Sequence, residues 1–170
     1  RDTGTLTEGR MEVSGIINME NGKILNSTYF NDNTSSSVEA LAISNILANI
    51  SKNSDDENPT MQAIKSFYSN MISKEFEVAE KVAFSSKTKW SGISFKDKGS
   101  YILGAPEFIL KEDFQKYEND IRKYTENYRV LVLAHSTNNF KNIDNNNNSI
   151  LVQKELPENI ESIGFILISS

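Results

Sequence analysis

Apolar and polar positions change their spacing along the chain, and each change predicts an element. Residues 11–30 carry two short apolar runs around Asn21-Gly22, a dipeptide that accepts positive φ at both positions of a tight turn. This pattern predicts a hairpin of two strands. A helix is predicted from Ser36, because Glu39 follows at the capping-box spacing and apolar residues then recur at helical intervals.

The rest of the chain predicts further helices and strands. Asn58 and Pro59 are typical of a helix start, as cap and first helical residue. Pro106 opens a short helix, a longer one begins near Asp113, and the Asn-rich run 145–148 predicts a surface loop. Strands are predicted at 76–84, 90–95, 100–103, 129–134, 150–156 and 160–168. Because hairpins dominate these connections, we expect an α+β fold, with a largely antiparallel sheet flanked by helices.

Composition narrows the class of protein. The 170 residues suit one domain of ordinary size. The formal net charge of −5 disfavours binding to nucleic acid, which requires a basic surface. The sequence has no cysteine, so disulfides, thiolate metal sites and cysteine nucleophiles are excluded. No apolar run approaches the roughly 18 residues of a membrane-spanning helix.

Three runs resemble motifs of the bacterial cation-transporting P-type ATPases. They are Thr-Gly-Thr-Leu-Thr at 3–7, Phe-Ser-Ser-Lys-Thr-Lys-Trp at 84–90 and Gly-Ala-Pro-Glu at 104–107. The resemblance implies a cytoplasmic domain of an integral membrane pump, with residues 10–168 as its nucleotide-binding (N) domain. Residues 1–9 would be a remnant of the phosphorylation loop and hinge, and 169–170 the C-terminal end of the hinge.

The resemblance also implies an ATP site. An aromatic ring such as Phe84 can stack on adenine, a contact worth about 1–3 kcal/mol per base. Lys89, five residues later, would supply positive charge to the base or the phosphates. The other predicted contacts are Ser86, Gly104, Ala105 and Arg129, where glycine permits close approach of a ligand and arginine binds phosphate.

Four more residues are weaker candidates for this site. Met61 stands where the family has a glutamate that accepts from the adenine amino group, so we expect relaxed base selectivity. Its neighbour Gln62 lies about 100° around the helix. Leu103 replaces a family lysine, which predicts a more apolar pocket. Trp90 fits sheet packing as well as a cleft wall.

The phosphorylation chemistry itself is not expected here. Arg1 and Asp2 replace the family Asp-Lys, so no catalytic residue is assigned, and we expect the chain to begin just past the nucleophilic aspartate. Mg²⁺ would accompany ATP, with its protein ligands in the phosphorylation domain. That domain and the actuator domain are the expected partners of the chain. We expect the isolated chain to be monomeric and inactive. With two polar contacts replaced, the dissociation constant should be on the order of 1 mM.

Two alternatives stay open at this point. A phosphatase of the haloacid dehalogenase class shares the phosphorylation motif but needs an intact aspartate. An interaction module with a degenerate pocket would bind a protein partner and no nucleotide. His135, the only histidine, lacks a partner motif for catalysis, and the acidic run 55–57 lacks the alternating ligands of a cation loop, so we interpret it as a solvated loop.

Overall fold

The computed structural model describes residues 10–19, 24–26, 38–143 and 153–170, with only the backbone of 24–26 and 38–40. Four sequence predictions lie outside these residues. They are the motif remnant at 1–9, the turn at Asn21-Gly22, the helix start at Ser36 and the loop at 145–148.

Nine strands lie in the described part of the chain, and seven of them form one sheet. The strands are β1 Glu12–Asn18, β2 Ile24–Asn26, β3 Val78–Val82, β4 Trp90–Phe95, β5 Gly99–Gly104, β6 Arg129–Ser136, β7 Lys141–Ile143, β8 Gln153–Glu155 and β9 Glu161–Ser169. The sheet runs in the order β2-β1-β9-β6-β5-β4-β3, and β7 pairs with β8 alone. All of these described pairings are antiparallel, which confirms the predicted α+β fold.

The four α-helices of the described residues are α1 Val38–Asn53, α2 Pro59–Tyr68, α3 Pro106–Leu110 and α4 Phe114–Thr125. The predicted cap of α2 is present, since Asn58 Oδ1 accepts from the Met61 N–H at 2.8 Å. Residues of α1 and α2 share one core with the sheet, and residues of α3 and α4 share another. The sheet therefore separates two apolar layers.

The alternation of β4 and β5 sorts their side chains between these layers. Leu103 belongs to the core with α1 and α2, whereas Ile102 belongs to the core with α3 and α4. Trp90 also lies on the α3–α4 side, where its ring stacks on Phe140 at a centroid distance of 5.7 Å. Ser91 consequently faces the α1–α2 side.

Two buried asparagines of α1 fix the segment that enters β3. Asn45 Oδ1 accepts from the N–H groups of Ser73 and Lys74, at 2.9 and 3.0 Å. Asn49 Nδ2 donates to the Lys74 carbonyl at 2.9 Å, and its Oδ1 accepts from the Phe76 N–H at 2.9 Å. These bonds satisfy loop backbone groups that lie against the helix, and they set where β3 begins.

Candidate nucleotide-binding cleft

A cleft of about 370 Å³ lies between the start of α2 and the ends of β4, β5 and β6. Seven of the ten predicted site residues line it, although they come from four separate stretches of sequence. They are Met61, Phe84, Lys89, Leu103, Gly104, Ala105 and Arg129.

Phe84 follows β3 rather than belonging to it, which is a correction to the predicted strand 76–84. The observed strand ends at Val82, and Phe84 has an exposed fraction of 41%. Its N–H donates to both carboxylate oxygens of Asp56, each at 3.2 Å. This contact fixes the backbone of Phe84 while its ring stays accessible from the cleft.

Lys89 closes the loop that begins at Phe84. Its N–H donates to the Ser85 carbonyl at 2.7 Å, and its own carbonyl accepts from the Ala105 N–H at 3.0 Å. Its φ of 64° lies in the left-handed region, which disfavours lysine. The Lys89 ammonium makes no ion pair with the residues that the structure describes, so its charge is available to a ligand.

Gly104 has a structural reason to be glycine that the sequence did not show. It pairs with Trp90 across the sheet. A Cβ at Gly104 would lie 2.6 Å from Trp90 Cβ and 2.7 Å from the Lys89 carbonyl oxygen. The neighbouring strand therefore requires glycine at this position, independently of any ligand. The short helix α3 that follows has only five residues, so its dipole adds little at the cleft.

Arg129 stands at the first position of β6 and lines the cleft. Its Nη1 donates to Thr60 Oγ1 at 3.1 Å, which ties the guanidinium to the start of α2. The remaining guanidinium donors make no ion pair within the described residues. Lys89 and Arg129 thus give the cleft two cationic groups that are open to an anionic ligand.

The floor of the cleft is apolar except at one position. Met61, Ile64 and Leu103 are buried there. Ser91 lies among them with an exposed fraction of 9%. Ser91 and Leu103 also line a second cavity of about 110 Å³, which continues towards the middle of β4 and β5.

Three predicted site residues lie away from the cleft lining, each for a local reason. Ser86 is exposed in the loop before Lys89, and Gln62 is exposed on α2. Trp90 is buried in the α3–α4 core, because its strand position sends it to the opposite face of the sheet. Their assignment to a nucleotide site stays a prediction.

The sequence predictions gave no site role to Asp56 and Ser91, which also line the cleft. Asp55 of the acidic run has a side chain that is 79% exposed and pairs with Lys81 at 2.9 Å, which fits the predicted solvated loop, whereas Asp56 accepts from the Phe84 N–H. Ser91 could have been found from Trp90, because assigning Trp90 to the core places the next residue on the cleft face.

His135 lies at the far end of β5 from the cleft. Its Nε2 is 2.7 Å from the Lys98 carbonyl, an acceptor, so Nε2 carries the proton and donates. The ring also packs against Tyr101 at a centroid distance of 4.5 Å. Burial raises the pKa of the Tyr101 phenol, which keeps that wall of the second cavity neutral.

The chain forms an α+β domain with a cleft at one end of the sheet, and its relatives identify the family. The chain is 31% identical over 132 residues to a probable cation-transporting ATPase, exp7, of Streptococcus pneumoniae serotype 4. It is 31% identical over 133 residues to the calcium-transporting ATPase CtpE of Mycobacterium tuberculosis, and 28% over 134 residues to CtpE of Mycolicibacterium smegmatis. No family model matches the chain.

These matches cover 78–79% of the chain and 14% of each relative, so the chain spans about 14% of the length of the proteins that it matches. It belongs to the family of cation-transporting P-type ATPases and corresponds to one domain-sized segment of them. Within the described residues, no helix combines the length and apolar character that a membrane crossing requires.

Proposed function

We propose that residues 10–168 form the nucleotide-binding domain of a cation-transporting ATPase and hold ATP in the cleft beside Phe84. The observation that carries the proposal is the convergence of one exposed aromatic ring and two unpaired cationic groups around an apolar floor. Phe84, Lys89 and Arg129 supply these groups, although 45 residues separate the first from the last. The match to ATP-driven cation pumps supports the same ligand.

Each part of the nucleotide has a counterpart in the cleft. The base would stack on Phe84, a contact worth about 1–3 kcal/mol, and would cover the buried side chains of Met61 and Leu103. The triphosphate would lie near Lys89 and Arg129, since charge-assisted hydrogen bonds to phosphate are shorter and stronger than neutral ones. A domain of this kind positions its ligand and leaves the chemistry to other residues.

In a whole pump, the domain would present the γ-phosphate to the nucleophilic aspartate of the phosphorylation domain. Holding two reactants in line can lower the activation barrier of such a transfer by several kcal/mol, and by on the order of 7–11 kcal/mol at most. Mg²⁺ would arrive with the phosphates. Its protein ligands are expected in the phosphorylation domain, as the resemblance to the family implies.

The proposal is tested by titrating the ¹⁵N-labelled chain with ATP and following the amide signals. We expect saturable shifts around Phe84, Lys89 and Gly104, with a dissociation constant on the order of 1 mM. Phe84→Ala should weaken binding about 5-fold or more, because the stacking contact is lost. Phe108→Ala is a matched control, since its ring is also 41% exposed but lies outside the cleft lining, and it should leave the affinity unchanged. Shifts that spare all three residues would overturn the proposal.

A further inference from the structure

We propose that the Ser91 hydroxyl contacts the edge of the bound base, and that the cleft consequently accepts guanine nucleotides about as well as adenine nucleotides. This inference rests on the proposed function, because it concerns how the same cleft recognises its ligand. It is carried by the position, burial and hydrogen bonding of one side chain.

Ser91 is a polar side chain in the wall of the cleft. Its exposed fraction is 9%, and its hydroxyl makes no hydrogen bond with any residue that the structure describes. The hydroxyl oxygen is not fully buried, so it is open to the cleft and can donate to or accept from a ligand there. It lines both the cleft and the second cavity, whose shared wall also includes Met61 and Leu103.

The other neutral polar side chains of the cleft are already engaged. Asn58 Oδ1 accepts from the Met61 N–H, which caps α2. Thr60 Oγ1 accepts from Arg129 at the mouth. The Ser91 hydroxyl is therefore the one hydroxyl of the cleft lining that has no partner within the described residues, and it can bond a base that enters over Met61.

A hydroxyl suits either purine. It can donate through its hydrogen or accept through its lone pairs, and it rotates to do so. Adenine presents an amino donor where guanine presents a carbonyl acceptor. A carboxylate at this place would accept only, and it would reject guanine by leaving two acceptors face to face. Asp56, the carboxylate that lines both cavities, is already engaged by the Phe84 N–H, and Ser91 imposes no such choice.

The second cavity gives the base edge room. Its volume of about 110 Å³ lies beyond Ser91, between β4 and the residues that follow α1. A base that reaches the hydroxyl would point its exocyclic group at this space rather than at packed side chains. Neither the amino group of adenine nor the carbonyl of guanine is therefore excluded by shape.

The test compares ATP, GTP and inorganic tripolyphosphate by amide NMR titration of the chain, Ser91→Ala and Ser94→Ala. We expect ATP and GTP to bind within about 3-fold of each other. Ser91→Ala should weaken both by about 2- to 10-fold, as expected for one neutral hydrogen bond, and leave tripolyphosphate unchanged. Ser94→Ala is the control, because Ser94 lies on the same strand with its side chain on the opposite face.

The outcomes separate the two proposals. A preference for ATP over GTP above about 30-fold would overturn this inference without affecting the proposed ATP site. Unchanged affinity of Ser91→Ala for both purine nucleotides would do the same. If neither purine gave a saturable response at Phe84 and Lys89, the proposed function itself would fail.

Discussion

At the residue scale, Lys89 combines a conformation that disfavours lysine with a side chain that faces the cleft. A left-handed backbone costs a non-glycine residue about 1–2 kcal/mol. Asp97 shares this conformation, with φ of 62° against 64° for Lys89, but it lies in the turn between β4 and β5. Such backbone outliers cluster at functional sites. At Lys89 we therefore expect a substitution that increases the stability of the domain to weaken ligand binding.

We predict that Lys89→Gly weakens ATP binding at least about 5-fold while raising the free energy of unfolding by up to about 1 kcal/mol. The glycine relieves the backbone, and the lost ammonium removes a phosphate or base contact. Urea denaturation and NMR titration measure the two effects. Asp97→Gly is the matched control: it should bring the same relief without any change in ATP affinity. Equal loss of affinity in both variants would contradict the role of Lys89.

We predict that Gly104→Ala lowers the free energy of unfolding by about 1–3 kcal/mol, the usual cost of overpacking. The added methyl group would collide with the Lys89 carbonyl and Trp90 Cβ, at 2.7 and 2.6 Å, and backbone atoms cannot rotate away. Urea denaturation checks this. Unchanged stability together with lost ATP binding would show that the glycine serves the ligand instead.

At the element scale, the side chains of α1 determine where the chain enters β3. Asn49 has an exposed fraction of 1% and bonds the backbone of Lys74 and Phe76. It also donates to the carbonyl of Asn45, one turn earlier. This helix therefore fixes the strand that leads to Phe84.

We predict that Asn49→Ala lowers the free energy of unfolding by about 1–3 kcal/mol, because the Phe76 N–H and Lys74 carbonyl lose buried partners. Asn53→Ala is the control on the same helix. Asn53 is only partly buried and donates to the Asn49 carbonyl, so its change should stay within about 0.5 kcal/mol. Equal urea midpoints for the two variants would mean that the asparagine network adds no stability.

The sequence predicted the elements whose signals are local. The Asn58-Pro59 cap and the short helix at Pro106 both lie where their residue types placed them. It did not predict β7, because Lys141–Ile143 is polar and becomes a strand only by pairing with the distant β8. A three-residue strand that forms by pairing with a segment far away in the sequence has no hydrophobic periodicity of its own.

The cleft was predictable in part for a related reason. Phe84, Lys89 and Gly104 were identified from the motifs that they share with a family, and the fold brings them together. The sequence does not show which face of β4 meets the cleft, so it leaves Trp90 ambiguous and gives no sign of Ser91. Of two consecutive strand residues, one faces each side of the sheet. Which of the two faces the cleft depends on the helices that pack on each side.

At the scale of the whole molecule, Tyr68 makes the free energy of unfolding depend on pH. The ring lies in the core between α1, α2 and the sheet, and burial raises the pKa of its phenol above the ordinary value of about 10. The unfolded phenol therefore ionises first as pH rises. The stability that Tyr68 contributes is fully present below about pH 10 and is lost above it.

We predict that the urea midpoint falls between pH 8 and pH 11, and that it falls less in Tyr68→Phe, since that ring cannot ionise. The remaining decline would include Tyr101 and Tyr124, whose phenol pKa values are also raised by burial. Comparing the variant with the parent chain at both pH values removes the effects of lysine titration. An equal decline in both proteins would show that Tyr68 is not the coupled group.

Stacking of the ATP base on Phe84 can be tested through nuclear Overhauser effects between the ligand and the protein. In a sample near saturation with ATP, we predict contacts from the adenine H2 and H8 protons to the ring protons of Phe84 and to the methyl groups of Leu103. Phe84→Ala should lose the first set of contacts and bind more weakly. Adenine contacts confined to Phe108 or other residues outside the cleft, at saturating ATP, would show that the base does not stack on Phe84.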